Sequence, residues 1–190
     1  MDRAELNGFN KLLFRDPCVA LKELRQIELL PTSDLVSEKV LTLRTNDLKN
    51  VKEYRHAALF CYGMTIRNNQ DIRFCPTESS DYDFIATWES EEIRHYAPVQ
   101  LKELPPIELN ATLTTQELID SLIKYSDPTN LTFVIVLNRN EKFEPSKLDF
   151  SKLNAAALWF VATTSQDHSK WLLWGNFMGT PDITSFAYPT

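Results

Sequence analysis

The sequence predicts an α/β domain whose elements follow the order αβββαβ, with a helical extension before this core and a β-hairpin after it. Apolar residues recur at helical spacing through the first 63 residues, and short alternating segments replace them between residues 72 and 104. A helix-start signal then precedes a wholly apolar segment at 131–137. The chain has 190 residues, four glycines and no linker-like stretch, so we expect a single domain over residues 1–190.

The N-terminal extension, residues 1–47, is expected to be helical. Apolar side chains follow a helical period over 4–14, and an Asp-Pro pair is typical of the start of a second helix at 16–24. A capping aspartate favours a third helical segment over 34–43. A longer amphipathic helix, from a cap at residue 46 or 47 to about Gly63, then opens the core.

Three strands are expected after that helix, at 72–75, 83–88 and 93–104. Polar residues 89–92 separate the last two strands and are typical of a tight connection between antiparallel neighbours. The three strands therefore form one half of the predicted sheet.

A helix and a fourth strand complete the predicted core, which covers residues 48–138. Thr114 and Glu117 have the spacing of a capping box, so we expect a helix to begin there. The consecutive apolar residues 131–137 are typical of a strand buried on both faces. A helical crossover from strand 93–104 makes these two strands parallel, so the predicted central sheet is mixed.

The C-terminal segment, residues 139–190, is expected to contribute a β-hairpin. Its two strands are predicted at 156–163 and 171–177, joined by a polar turn. The hairpin carries three of the four tryptophans, among them Trp159 and Trp171. Aromatic residues in such a hairpin pack in a core or at a dimer contact more often than they stack on nucleic-acid bases.

Composition narrows the possible functions and locations. Twenty basic and 26 acidic residues give a net charge of −6, so any nucleic-acid binding must come from a local basic patch. Cys18, Cys61 and Cys75 form no close pair, which excludes a disulfide scaffold or a cysteine-rich zinc site and fits a reducing compartment. No apolar run approaches the ~20 residues of a membrane span, and residues 1–5 do not open a secretion signal. We therefore expect a cytoplasmic protein outside the membrane.

The turn at 89–92 sets the expected register of strands 83–88 and 93–104. Counting outward from it gives three pairs: Trp88 with Ile93, Asp83 with Pro98, and Asp81 with Gln100. Paired residues, and residues two apart on one strand, share a face of the sheet. Asp81, Asp83, Gln100 and Lys102 are therefore expected on one face, and a one-residue slip would separate the acids from the other two.

Such a cluster has the chemistry of a metal-dependent hydrolase. Aspartate oxygens, the Gln100 amide oxygen and a backbone carbonyl are hard ligands that suit Mg²⁺ or Mn²⁺. The Lys102 ammonium could orient a water molecule and stabilise the anionic transition state of phosphodiester hydrolysis.

At these residues the sequence resembles the PD-(D/E)XK nuclease superfamily. The motif Gln100-Leu101-Lys102 is similar to that of the Q-x-K branch, which includes Mrr-type restriction enzymes. The resemblance covers about residues 48–138 and implies a restriction-endonuclease-like αβββαβ core and DNA endonuclease activity. Two features depart from the family pattern: the Pro-Asp pair is absent, and Gln100 is a neutral ligand where most members have an acid.

The resemblance also implies a role for each residue of the cluster. Asp83 and Gln100 would be metal ligands for Mg²⁺ or Mn²⁺, and Lys102 would be the catalytic lysine. Glu53, on the first helix of the core, would match the auxiliary glutamate that some members carry. Asp81 is the competing candidate for the metal-binding aspartate.

A second function stays open at this point: the same fold as a binding or assembly module without catalysis. The acidic net charge, the neutral Gln100 and the aromatic hairpin favour it. In that case Trp159 and Trp171 would support a dimer or a partner complex, and alanine at either position would disrupt it. A homodimer is also compatible with a nuclease that cuts both strands of DNA.

Overall fold

The computed structural model describes residues 3–28, 49–77, 79, 81–125, 130–140 and 142–190. The helix expected over 34–43 lies outside these residues. The described helices are α1 (Arg3–Phe9), α2 (Pro17–Glu28), α3 (Lys49–Asn68) and α4 (Thr115–Leu122), with a short 3-10 helix at Pro145–Lys147. None of the helices in these ranges has the length and apolar character needed to cross a membrane.

The first long helix of the core, α3, extends past its expected end at Gly63. The helix ends at Asn68, and Asn69 follows it with a φ of 50°, a left-handed conformation that asparagine tolerates after a helix. Gly63 has a packing role instead. A Cβ atom there would lie 2.9 Å from the Phe186 ring, so glycine permits the close approach of a C-terminal strand to the helix.

In the described ranges, seven strands form one mixed sheet in which every strand neighbours its predecessor in the chain. They are β1 (Arg73–Pro76), β2 (Phe84–Ser90), β3 (Ile93–Leu104), β4 (Thr132–Leu137), β5 (Ala157–Thr163), β6 (Lys170–Gly175) and β7 (Asp182–Ala187). Strands β1 to β3 are antiparallel, β3 to β5 are parallel, and β5 to β7 are antiparallel. The sequence therefore predicted the α/β class, the mixed sheet and the hairpin of β5 and β6 correctly, and it missed β7.

The crossover helix α4 begins at the capping box that the sequence predicts. The Thr114 backbone N–H donates to Glu117 Oε2 at 2.8 Å, and the Glu117 N–H donates to Thr114 Oγ1 at 3.2 Å. These reciprocal bonds satisfy two backbone N–H groups that have no partner within the helix at its N-terminus. The chain enters α4 from β3 and leaves it toward β4, and the two strands are parallel as expected.

Helices cover both faces of the sheet. Helix α3 packs on one face, here called the α3 face, and α4 packs on the other, the α4 face. Strand β4 is buried on both: Val134 and Val136 contribute to the α3 face, while Phe133 and Ile135 contribute to the α4 face. This double burial explains the unbroken apolar run of that strand.

The register expected for β2 and β3 is wrong by two residues. Trp88 lies opposite His95, and Ser90 rather than Trp88 lies opposite Ile93. The strands run closer to the turn than predicted, because the connection is a two-residue loop in which Glu91 and Glu92 have φ angles of 52° and 64°. A shift of two residues leaves every side chain on its predicted face.

The aromatic residues of the C-terminal strands pack within the chain. Trp159 and Trp171 are 7% and 5% exposed and belong to the core on the α3 face. The Trp171 indole N–H donates to the His168 carbonyl at 2.8 Å, and the Arg55 guanidinium lies 5.9 Å from its ring centroid. Within the described residues, these two tryptophans therefore stabilise the fold of the chain itself.

Replacing Trp171 by phenylalanine is accordingly expected to lower the free energy of unfolding by about 1–2 kcal/mol. The variant keeps an aromatic ring but loses the bond to the His168 carbonyl. Urea denaturation measures the loss, and size-exclusion chromatography should give the same elution volume for both proteins. A change of oligomeric state with unchanged stability would instead place Trp171 at a contact between molecules.

Candidate functional site

The predicted cluster lies at the start of β2, where the pairing of β2 with β3 stops and β3 continues beside β4. The Asp83 N–H donates to the Val99 carbonyl at 2.9 Å, and Leu101 lies beyond this last backbone bond between the two strands. Asp83 Oδ2 accepts a bond from the Leu101 N–H at 2.6 Å, and Gln100 Nε2 donates to the Leu101 carbonyl at 3.1 Å. The side chains of Asp83 and Gln100 thus bind the backbone groups that a longer β2 would have paired.

Asp83 and Gln100 also contact each other directly. Gln100 Nε2 donates a hydrogen bond to Asp83 Oδ2. The amino end of the carboxamide points at two acceptors, the Asp83 carboxylate and the Leu101 carbonyl, and this orientation satisfies both without a cation. Gln100 is only 5% exposed, so this contact is a buried part of the site.

The structure separates the two aspartates that the sequence left as alternatives. Asp83 meets Gln100, whereas Asp81 is exposed and its N–H donates to Ser79 Oγ at 3.2 Å. The two-residue shift of register accounts for this difference, because it moves Asp83 into the position opposite Gln100 that was expected for Asp81.

Glu53 approaches the cluster from the α3 face. It lines a cavity of about 250 Å³ between α3 and the start of β2, and Asp83 lines the same cavity. Three other polar residues line it: Asn50, Tyr54 and Thr77. The Thr77 hydroxyl oxygen is buried and has no hydrogen-bond partner among the residues that the structure describes, so this wall of the cavity can still bind a water molecule or a ligand oxygen. Burial raises the pKa of Tyr54 above its usual value.

Sequence reasoning missed Thr77 and Tyr54 as site residues. Thr77 directly follows β1, and its N–H donates to the Asp83 carbonyl at 3.0 Å, so β1 and β2 hold the two residues side by side. For Thr77, the only signal in the sequence was its position just after a predicted strand. Tyr54 neighbours Glu53 on α3 and gave no separate signal.

Lys102 lies on the α4 face, two residues beyond Gln100 on the same strand. Its ammonium nitrogen is 5.4 Å from the centroid of the Tyr125 ring, which follows α4. Asp83 is therefore hydrogen-bonded to Gln100, and it lines the same cavity as Glu53. Lys102 and the Glu53 cavity lie on different faces of the sheet, with Asp83 at the strand end between them.

A second polar cluster lies on the α3 face, beside the end of β3. Glu103 forms an ion pair with Lys52 and accepts a hydrogen bond from Asn138 Nδ2 at 2.9 Å. His56, one turn along α3 from Lys52, is buried, and this burial lowers its pKa to about 4 despite the opposing effect of Glu103. These residues form a structural network separate from Asp83 and Gln100.

No protein-family model, curated protein or solved structure matches the chain. The site must therefore be judged by its own chemistry. The residues that the structure describes contain no group of three or more histidine, cysteine, aspartate or glutamate side chains able to hold a metal ion.

The donor set at the strand end nevertheless fits a hard divalent cation. Magnesium is commonly bound by one or two carboxylates and keeps several water ligands, so a cage of acids is not required. Turning the Gln100 carboxamide over exchanges the positions of its nitrogen and oxygen. Three oxygens would then converge, from Asp83, Gln100 and the Leu101 carbonyl, and a cation would offset their repulsion.

Proposed function

We propose that the chain is a metal-dependent phosphodiester hydrolase of the PD-(D/E)XK type, a DNA endonuclease. The contact of Asp83 and Gln100 with the backbone of Leu101 carries the proposal, because it brings the Asp83 carboxylate and the Leu101 carbonyl to the Gln100 carboxamide where two strands part. The order α3-β1-β2-β3-α4-β4, with a helix on each face of the sheet, supports a restriction-endonuclease-like core over residues 48–138.

Asp83, Gln100 and the Leu101 carbonyl are the groups that would hold Mg²⁺ or Mn²⁺. When bound, the cation would supply positive charge that offsets the charge of the phosphodiester. Asp83 is fixed for this task by the Leu101 N–H, which holds one carboxylate oxygen at 2.6 Å. Glu53 would act as an auxiliary carboxylate from across the cavity that it shares with Asp83.

Lys102 would act on the phosphate that is being cleaved. In hydrolysis a water oxygen forms a bond to phosphorus, the bond to the leaving oxygen breaks, and negative charge increases on the remaining phosphate oxygens. The ammonium of Lys102 lies on the same face of the sheet as Gln100 and would stabilise that charge.

The hydrogen bond from Gln100 to Asp83 also favours a second candidate, a binding or assembly module without catalysis. With its amino group toward the carboxylate, Gln100 satisfies Asp83 without any cation. In this alternative the cluster only closes the end of the β2–β3 pair, and the fold has no affinity for divalent metal ions.

Replacing Gln100 by glutamate tests whether this place in the fold can hold a divalent cation. The change removes a buried hydrogen bond and sets two carboxylates against each other, so in EDTA we expect the free energy of unfolding to fall by about 1–3 kcal/mol. A metal site made of two carboxylates binds cations more tightly than one with an amide. Millimolar Mn²⁺ should therefore restore the melting temperature, because a ligand that binds only the folded state stabilises it.

Gln116 provides a matched control for that experiment. Its amide also donates to a carboxylate, that of Asp120 on α4, at 2.9 Å. Gln116→Glu makes the same chemical change on an exposed helix surface, so its response to Mn²⁺ measures the cation binding of a bare carboxylate pair, and the response of Gln100→Glu should be larger. Equal melting temperatures for Gln100→Glu with and without Mn²⁺ would reject the metal site and favour the non-catalytic module.

A further inference from the structure

Two lysines share one aromatic ring beside the candidate site. The ammonium nitrogens of Lys102 and Lys124 lie 5.4 Å and 5.9 Å from the centroid of the Tyr125 ring. That ring packs against Phe133 of β4, with 5.5 Å between centroids, and Phe133 is fully buried. The core therefore fixes the ring, and cation–π attraction holds one ammonium at 5.4 Å and the other at 5.9 Å from its centroid, so the two nitrogens are no farther apart than the sum of these distances, about 11 Å.

These two lysines differ from others in their ion pairing within the described part of the chain. Among the residues that the structure describes, neither Lys102 nor Lys124 forms an ion pair, whereas other lysines, such as Lys52, do. Two like charges at one ring repel each other, and a bound anion would offset that repulsion. The protein as a whole carries a net charge of −6 and repels a polyanion. A polyanion would therefore be attracted only to a local group of positive charges such as this pair.

The position of the pair relates it to the cluster at Asp83. Lys102 is two residues from Gln100 on β3, so the two side chains project from the same face about 7 Å apart along the strand. A ligand that reaches from Gln100 past Lys102 toward Lys124 must therefore be extended and carry more than one negative charge. The backbone of a nucleic-acid strand has this form.

We propose that Lys124 and Tyr125, beside Lys102, form a subsite for a phosphate of a nucleic-acid strand, next to the phosphate that Lys102 would contact at Asp83 and Gln100. The inference rests on the proposed function and makes the substrate a polynucleotide chain rather than a single nucleotide. Tyr125 positions the two ammonium groups, and Lys124 contributes binding rather than chemistry.

Binding of a fluorescein-labelled 12-nucleotide oligothymidylate in EDTA, followed by fluorescence anisotropy, tests the subsite without cleavage. Lys124→Ala should weaken binding about threefold to tenfold at low salt, and Lys124→Glu should weaken it further. The slope of log Kd against the logarithm of the salt concentration should fall by about 0.7 for Lys124→Ala, as expected when one phosphate contact to a single strand is lost. Lys124 is exposed, so neither variant should change the melting temperature.

Lys22→Ala is the matched control. Lys22 is an exposed lysine on α2, which packs against α3 on the opposite side of the sheet, so its removal changes the net charge equally but should leave Kd unchanged. Equal Kd values for wild type and Lys124→Ala, or no binding by wild type at low salt, would overturn the subsite. Binding that depends on Lys124 in a protein that never cleaves DNA would retain the subsite and reject the nuclease.

Discussion

Lys102→Ala is expected to reduce the rate of DNA cleavage in Mg²⁺ or Mn²⁺ by about 10²- to 10³-fold, equivalent to about 3–4 kcal/mol of transition-state stabilisation. The side chain lies on the same face as Gln100, and its only described interaction is with the Tyr125 ring. Its removal therefore takes away a cation near the phosphate and little packing. Nicking of supercoiled plasmid, measured under single-turnover conditions, gives the rate.

Two further variants separate a loss of chemistry from a loss of folding or charge. Lys102→Arg keeps the positive charge and should recover part of the rate, whereas Lys22→Ala, on α2, should cleave at the wild-type rate. Melting temperatures of all four proteins should agree closely. Equal residual cutting by wild type and Lys102→Ala would mean that the activity comes from a contaminant, and the nuclease proposal would fail.

Acid should destabilise the protein through His56. Burial on α3 lowers its pKa to about 4, against about 6.5 in the unfolded chain. The folded protein therefore keeps His56 neutral, and the unfolded chain binds the proton first as the pH falls below 6.5. The stability that neutral His56 contributes is complete above pH 6.5, falls by about 2 kcal/mol at pH 5 and by about 3 kcal/mol at pH 4.

The difference between wild type and His56→Gln isolates this effect from the titration of the many acids. Urea denaturation at pH 7 and pH 5 gives the free energy of unfolding of each protein at each pH. Wild type should lose about 2 kcal/mol more than the variant over this interval. Three charged groups act on His56, namely Glu103, Lys52 and Arg55. An equal loss in both proteins would mean that His56 accepts a proton inside the fold.

The sequence predicted the order of the helices and strands because most of these elements carry a strong local signal. The capping box at Thr114 and Glu117 specifies its helix through backbone hydrogen bonds, and the alternation of β3 reproduces its bounds, Ile93–Leu104. The hairpin register was missed because the loop uses positive φ angles at Glu91 and Glu92. Glutamate does not favour that conformation, so the residues gave no signal for a two-residue turn.

Only the part of the candidate site that follows from the alternation of side chains along a strand could be predicted from the sequence. The alternation of strands put Asp83 and Gln100 on one face, and this parity survived the shift of register. The position of Thr77 in the cavity depends on how β1 packs. The position of the two lysines at the Tyr125 ring depends on how the end of α4 packs. A single sequence carries no local pattern for such contacts between distant segments.

The chain-order arrangement of the sheet also bears on how the protein folds. Every pairing in the described part of the chain joins consecutive strands, and the four antiparallel connections have seven residues or fewer, whereas the two parallel connections are longer. Closing a short loop costs less conformational entropy than closing a long one. The three strands at each end of the sheet can therefore pair within their own stretch of chain before the parallel strands join the two ends.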